Sequence, residues 1–202
     1  MQNNTINYYE ECANSLSTRY ESADVSEVQE LLLQTFAQNS HILEIGCGSG
    51  RDASFMVKNS YDVTAVDGSK NMIEEARKIH SELTDKLLCR TLPDDLEFNI
   101  KFDGIYSIAT LMHLPKEHLK RAISNIYNLL NQNGKFFMSV SLFRDDIEDN
   151  GFDKKGRFFL VLSLEEWINI CKKVGFKVLK SKINKDGLNR SGIEWLTLVA
   201  NK

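Results

Sequence analysis

The sequence predicts an α/β fold: a doubly wound, mostly parallel seven-stranded sheet with a C-terminal antiparallel hairpin and an N-terminal helical lid. Three observations predict it. Apolar, β-branched runs alternate with segments of helical period from residue 41 to residue 175. Three glycines at alternate positions, Gly46, Gly48 and Gly50, join the first apolar run to the first helix of that series. The last two runs, 176–183 and 193–200, have no helix between them and about nine residues of polar loop, enough for an antiparallel return but not for a parallel crossover.

Residues 5–20 carry Tyr8, Tyr9, Ala13, Leu16 and Tyr20 mostly three or four apart, which predicts a short amphipathic helix with an aromatic face. That face either packs on the body of the domain or closes over a ligand. Val25–Phe36 is a second helix, opened by Asp24 or Ser26, with Val28, Leu31, Leu32 and Phe36 at helical spacing. After the strand from His41 and the glycine turn, Asp52–Asn59 reads as helix and Tyr61–Val66 as a buried strand that stops at Asp67-Gly68-Ser69. Ser69 caps a helix carrying Met72, Ile73, Ala76 and Ile79. Strands are expected at Lys86–Thr91 and Phe102–Ala109. Pro115 opens a long helix through Leu130, closed by Asn133-Gly134, and Lys135–Leu142 is the fifth strand. Leu164–Val174 is a helix capped by Ser163, with Gly175 just past its end.

A chain of 202 residues, 42% of them hydrophobic, supports one sizeable core, and no Pro/Gly/Ser linker divides it. One domain over residues 1–202 is expected: 1–38 as the lid and 39–202 as the core, with a substrate loop near 143–162. Lys and Arg total 25 against 28 Asp and Glu, and the net charge of −3 lacks the basic surplus of a nucleic-acid surface. The polar start and the lack of any apolar run long enough to span a bilayer point to a cytoplasmic protein without membrane contact. Cys12, Cys47, Cys89 and Cys171 lie far apart, so neither a metal site nor a disulfide framework is signalled, and free thiols are expected.

Glycine at 46, 48 and 50 removes Cβ atoms where the chain bends with unusual φ or a ligand approaches closely. The opening turn of the next helix is expected to leave N–H groups in need of an acceptor. In an open α/β sheet such a turn marks a ligand site at the carboxyl ends of the strands. A dinucleotide would want G-x-G-x-x-G, and Arg51 stands where the third glycine would be. Glu44, ending the first strand, would repel a pyrophosphate and suits a ligand bearing an ammonium group. Asp67, 17 positions beyond Gly50, is placed to hydrogen-bond a ribose diol; the plainer reading is a cap beside the next helix.

Glu44-Ile45-Gly46-Cys47-Gly48-Ser49-Gly50, then Asp67, then Phe102-Asp103-Gly104-Ile105-Tyr106-Ser107 with Leu111-Met112-His113-Leu114 after it, resemble the class I S-adenosylmethionine-dependent methyltransferases over roughly residues 40–200. The resemblance implies S-adenosylmethionine as cofactor and S-adenosylhomocysteine as product. By it, Gly46, Cys47, Gly48, Ser49 and Gly50 form the turn under the methionine portion and ribose, Glu44 lies near the amino group, and Asp67 takes the ribose hydroxyls. Gly68, Ser69 and Met72 would lie beside the adenine. The family often sets an acid after the third strand to meet the adenine amino group; here the chain reads Arg90-Thr91-Leu92-Pro93, and backbone atoms of Thr91 and Leu92 would substitute. Ile108 and Ala109 would line the pocket of the methyl donor.

A sulfonium methyl is already activated, so alignment and exclusion of water are the protein's main tasks. His113, after the fourth strand, is the candidate general base or substrate contact, and it reads equally as a histidine that stabilises the loop before Pro115. Tyr8 and Tyr9 are candidate substrate contacts. Residues 143–159 exceed a plain connection, and Arg144 and Arg157 either clamp a carboxylate or phosphate or pair with Asp145, Asp146 and Asp149. The expected function is methyl transfer to a small molecule. Gly156-Arg157-Phe158-Phe159 is similar to a segment of wobble-uridine tRNA methyltransferases, an alternative that the charge balance opposes. A cofactor-binding module without catalysis is a further alternative, and Glu44 and Arg51 disfavour a nucleotide-dependent oxidoreductase.

Overall fold

A computed structural model describes residues 3–186, 188 and 190–202. Seven strands form one sheet: β1 (His41–Ile45), β2 (Asp62–Asp67), β3 (Leu87–Cys89), β4 (Phe102–Ile108), β5 (Leu130–Arg144), β6 (Lys177–Lys185) and β7 (Ile193–Asn201), in the order β3-β2-β1-β4-β5-β7-β6. The first five are parallel to one another, and β7 runs antiparallel between β5 and β6. The helices are α1 (Asn3–Glu21), α2 (Ser26–Thr35), α3 (Arg51–Lys58), α4 (Lys70–Ile79), α5 (Lys116–Leu129) and α6 (Leu164–Val174). The doubly wound sheet with a terminal hairpin is the expected architecture.

Apolar runs become central strands here because helices cover both faces. On one face Phe102, Phe136 and Leu196 pack against Ile123 and Trp167 of α5 and α6; on the other Ile42, Tyr106 and Phe137 meet Leu32, Met56 and Ile73 of α2, α3 and α4. A third, smaller cluster joins Ala13, Leu16, Tyr8, Tyr9 and Tyr20 of α1 to Met72 of α4. α6 is closed at its start by a reciprocal box, in which the Ser163 hydroxyl accepts from Glu166 N–H and the Glu166 carboxylate accepts from Ser163 N–H.

Two boundaries differ from expectation. β3 is only Leu87–Cys89, although Arg90 N–H still donates to the Asp67 carbonyl at 2.9 Å. α5 ends at Leu129 and Leu130 already belongs to β5, because it pairs with Phe102; the chain then bulges through Asn133, at φ +65°, before Lys135 resumes the ladder opposite Gly104. Strand order reverses between β2-β1 and β4, so a crevice opens at the carboxyl ends of β1 and β4, which in such sheets is where ligands bind. Among the described residues no helix is long and apolar enough to cross a membrane. The four cysteines are free thiols.

Candidate active site

A cavity of about 270 Å³ occupies that crevice. Its floor is the turn between β1 and α3, where Gly46, Gly48 and Gly50 take φ of +78°, +54° and +81°. The donors expected to seek an acceptor belong to the first turn of α3; those of the glycine turn before it are mostly satisfied within the chain. Gly46 and Cys47 N–H donate to the Val66 carbonyl at 2.7 and 3.0 Å, Gly48 N–H to Asp67 Oδ2 at 2.9 Å, and Gly50 N–H to the Cys47 carbonyl at 2.9 Å. The glycine turn's own donors are thus used within the chain. The charged side chains beside it that line the cavity include the carboxylates of Glu44 and Asp67. Glu44, 2% exposed, accepts from the Tyr106 hydroxyl at 3.0 Å, and Asp67 also accepts from Ser69 N–H at 2.8 Å. Burial raises the pKa of both above the ordinary carboxylate range, Glu44 well above, with the nearby Asp52 adding to the effect on Glu44.

α1 is pinned across this floor at several points. Glu10 accepts from Lys70 and Asn71 N–H at 2.7 and 2.9 Å, which satisfies free donors at the N-terminus of α4. Glu21 accepts from the Ser49 hydroxyl at 2.6 Å and lies 3.2 Å from His80 Nε2. Arg51, the residue in place of a third glycine, forks onto Asp52 and donates to the Tyr20 carbonyl at 2.8 Å. Ile6, Tyr9, Arg19 and Tyr20 therefore roof the cavity. Arg19 Nε is buried and has no hydrogen-bond partner among the described residues.

The far wall combines α1, the turn after β4 and the loop after β5. His113, 2% exposed, sits 2.6 Å by Nδ1 from the Phe158 carbonyl and 3.1 Å by Nε2 from the Tyr9 hydroxyl. Burial lowers its pKa to about 4. Phe158 N–H donates to the Thr5 hydroxyl at 2.9 Å, so one residue of the loop is tied to both His113 and α1. Arg144 and Arg157 both lie over the Phe159 ring, at 4.0 and 5.0 Å. Neither guanidinium is free for an anion: Arg144 is bidentate on Asp146, as the surface-pairing reading allowed, and Arg157 binds Asp153 at 2.8 and 2.6 Å, a partner that reading did not include.

Of the residues singled out from sequence, Glu44, Gly46, Cys47, Gly48, Ser49, Asp67, Gly68, Ser69, Thr91, Leu92, Ile108, Ala109, His113, Tyr9, Arg144 and Arg157 all line the one cavity. Gly50, Met72 and Tyr8 do not. Gly50 is occluded by Leu83 and Ala76, Met72 is buried under α1, and Tyr8 packs beneath the Arg157 guanidinium at 5.0 Å. Sequence reasoning missed Arg19 and the group at the end of the hairpin, where Asp186 binds Arg190 and the Trp195 indole N–H at 2.9 Å beside Asn184. An arginine on a helix and a polar hairpin loop carry no local sign of which way they face.

The fold and the carboxylate-lined glycine turn define a class of protein, and a methyltransferase-domain family model matches residues 17–181. The chain belongs to that family, the class I S-adenosylmethionine-dependent methyltransferases. It is 25% identical over 185 residues to an O-methyltransferase of Pyrenophora dematioidea, covering 87% of this chain and 68% of that protein. It is 30% identical over 110 residues to the ubiquinone biosynthesis O-methyltransferase of Coxiella burnetii, covering 53% of this chain and 46% of that one, so it spans only about half of some named relatives. In fold it is similar to the Burkholderia thailandensis 1,6-didemethyltoxoflavin-N1-methyltransferase, a structure with bound 1,6-didemethyltoxoflavin and S-adenosylhomocysteine, at a TM-score of 0.77 and 17% identity over 98% of this chain and 86% of that one.

Proposed function

We propose that this chain is a small-molecule O-methyltransferase of the cytoplasm, which moves the methyl group of S-adenosylmethionine to an oxygen of a compact organic acceptor by in-line displacement. The observation that carries the reading is a single cavity bounded by Glu44, Gly48 and Asp67 on one side and by Tyr9, His113 and Phe159 on the other. The acceptor atom follows the named relatives, two of which are O-methyltransferases.

The residues present fit the cofactor by charge. Glu44 and Asp67 are buried carboxylates, and among the described residues neither forms an ion pair. A cationic nucleoside compensates both, whereas a pyrophosphate would add to the repulsion. S-adenosylmethionine bound there supplies a methyl group already activated on a positive sulfur. Glu44 would meet its ammonium and Asp67 its ribose hydroxyls, over the backbone of residues 46–50. Gly68 and Ser69 would flank the adenine with the backbone of Thr91 and Leu92, while Ile108 and Ala109 would face the methyl-bearing side. Arg19 would take the carboxylate, giving its unpartnered Nε an acceptor. α1 acts as a lid whose roof of Ile6, Tyr9 and Tyr20 keeps water from the reacting atoms.

A tRNA acceptor is the weaker reading. Arg157 and Phe159 of the segment that suggested it are 8% and 2% exposed, walled in by α1 rather than offered to a nucleic acid. Calorimetry with S-adenosylhomocysteine tests the cofactor site: wild type binds, and Asp67→Ala loses at least about tenfold in affinity, the scale of 1.4 kcal/mol for a lost charge-assisted hydrogen bond. Tritiated methyl transfer to a panel of phenols and carboxylic acids tests the activity. No binding, with Asp67→Ala indistinguishable from wild type, sinks the reading. Binding without transfer would favour a non-catalytic module, and retention of tRNA in a low-salt gel shift would favour the nucleic-acid alternative.

A further inference from the structure

We infer that Tyr9 is the catalytic residue that receives the acceptor's proton, that His113 is the positioning residue behind it, and that the acceptor is accordingly a hydroxyl compound. The inference rests on the methyl-transfer reading above and adds to it a named proton route. A backbone carbonyl can only accept, so the His113 Nδ1 that lies 2.6 Å from the Phe158 oxygen carries its proton. Neutral imidazole has one N–H, which leaves a lone pair on Nε2, and the Tyr9 hydroxyl 3.1 Å away is then the donor. The backbone thus sets the tautomer and the tautomer sets the direction of the tyrosine hydroxyl. Having donated its hydrogen inward, the Tyr9 oxygen, which the Arg157 guanidinium also approaches, keeps a lone pair for a hydroxyl offered from the cavity that it lines.

The position of the pair supports that order. Both line the cavity, but His113 is 2% exposed while Tyr9 is only partly buried, so Tyr9 is the more accessible member. Thr5 holds the first turns of α1 to Phe158 N–H, so the residue that fixes the imidazole also registers the helix that carries Tyr9. The charged groups facing the imidazole are Arg157 and Arg144, each satisfied by its own aspartate, and Asp153. No uncommitted cation among them favours an acceptor that arrives as an anion. A neutral hydroxyl, which must shed a proton as it is methylated, matches what the wall provides.

The step balances. The acceptor oxygen forms its bond to the methyl carbon as the carbon–sulfur bond breaks, and that electron pair stays on sulfur. The acceptor O–H proton passes to the Tyr9 oxygen while the Tyr9 proton passes to His113 Nε2. One positive charge is lost at sulfur and one is gained on imidazole, so the net charge of the cavity does not change. The imidazolium returns its proton to solvent after product leaves.

Tyr9→Phe and His113→Gln test this against wild type with three readouts. In ¹⁵N NMR of the protein without cofactor, His113 shows a protonated Nδ1 and a bare, hydrogen-bonded Nε2, and Tyr9→Phe removes the Nε2 hydrogen-bond shift alone. In calorimetry, Tyr9→Phe binds S-adenosylhomocysteine within about twofold of wild type, since the ring stays in place and the proposed cofactor contacts lie at the Glu44 end. With tritiated S-adenosylmethionine, Tyr9→Phe lowers kcat for catechol by about 100-fold with KM nearly unchanged, and lowers turnover of thiophenol, which arrives as thiolate, less than tenfold. A protonated Nε2, catechol turnover untouched by Tyr9→Phe, equal losses with both acceptors, or a wild type that binds cofactor yet methylates no phenol each overturns the inference. Failure of wild type to bind S-adenosylhomocysteine would instead overturn the methyltransferase reading. Should His113→Gln fail to fold, Tyr9→Phe decides, because it removes one oxygen and no packing.

Discussion

The two ends of the cavity are built in different ways. The Glu44 end comes from one stretch of chain: strand, turn, helix and strand deliver Glu44, Gly48 and Asp67, the last two only 19 positions apart. Backbone geometry does most of the work there. The Tyr9 end comes from segments that meet only in the folded protein, with 104 positions between Tyr9 and His113 and 153 between Thr5 and Phe158. Its geometry rests on side chains. Their electrostatics are opposite too: buried acids held above their usual range at one end, and a histidine held below its usual range between neutralised arginines at the other. A site made by local backbone tolerates little change in the backbone and much in its neighbours; a site made by distant side chains does the reverse.

Two glycines with the same φ of +78° make that contrast testable. A Cβ on Gly46 would lie 1.9 Å from Thr110 Oγ1 and 2.6 Å from Thr110 Cβ, whereas a Cβ on Gly156, in the loop at the other end, meets nothing within 4 Å. Both substitutions carry the left-handed strain of about 1 kcal/mol. Gly46→Ala adds a clash that displaces the β4 end from the turn, so its total destabilisation is expected at about 4 kcal/mol or above, with loss of S-adenosylhomocysteine binding. Gly156→Ala should cost about 1 kcal/mol and leave cofactor affinity intact. Urea denaturation and calorimetry on the two variants measure this, and equal costs would mean that backbone strain alone governs both turns.

The ends should also answer to pH with opposite signs. A carboxyl whose folded pKa is raised is less favourable ionised than it is in the unfolded chain, so Glu44 lowers stability at neutral pH. That loss is recovered as pH falls from its folded value toward the ordinary one near 4. His113 is the reverse: the unfolded chain takes up its proton near 6.5 and the folded chain only near 4, so stability is lost as pH falls through that window, by about 3 kcal/mol at its lower end. Compared with wild type in urea at pH 7, 5.5 and 4, Glu44→Gln should start more stable and converge downward. His113→Gln should start less stable and converge upward. Parallel curves for either variant would show that its group does not titrate in the assigned direction. Glu44→Gln should weaken cofactor binding while it stabilises the fold, the trade expected of a residue kept for a ligand.

The same contrast explains what the sequence makes legible. The sheet, the turn and the acids at 44 and 67 were readable because alternation, glycine spacing and strand-end position are local patterns. Bounds failed where a tertiary contact overrode a local sign: Asn133-Gly134 reads as a helix stop, yet Leu130 leaves the helix earlier to pair with Phe102. Met72 has the right sequence position for the adenine side, but a helix lying across α4 claims its side chain. Arg144 carried the right alternative in Asp146, but the partner of Arg157 was missed, because pairing with Asp153 depends on a loop folding back on itself. His113 was legible as a residue of interest; its partner Tyr9 was placed as a substrate contact, since nothing local aims one at the other.

α1 spans both ends and gives the finest comparison. Near its start Thr5, fully buried, accepts from Phe158 N–H; at its last residue Glu21, partly exposed, accepts from the Ser49 hydroxyl. Thr5→Val keeps the shape but leaves a backbone donor unsatisfied in the interior, at a cost of about 1 kcal/mol. Glu21→Ala keeps every backbone group paired and releases only the side chains of Ser49 and His80, at a cost of about 0.5 kcal/mol. Hydrogen exchange along α1 separates the two: Thr5→Val should speed exchange about fivefold in the first turns, and Glu21→Ala about twofold in the last. If either variant loosens the whole helix evenly, α1 opens as one cooperative cover, and the independence of the two ends of the cavity fails at the element that joins them.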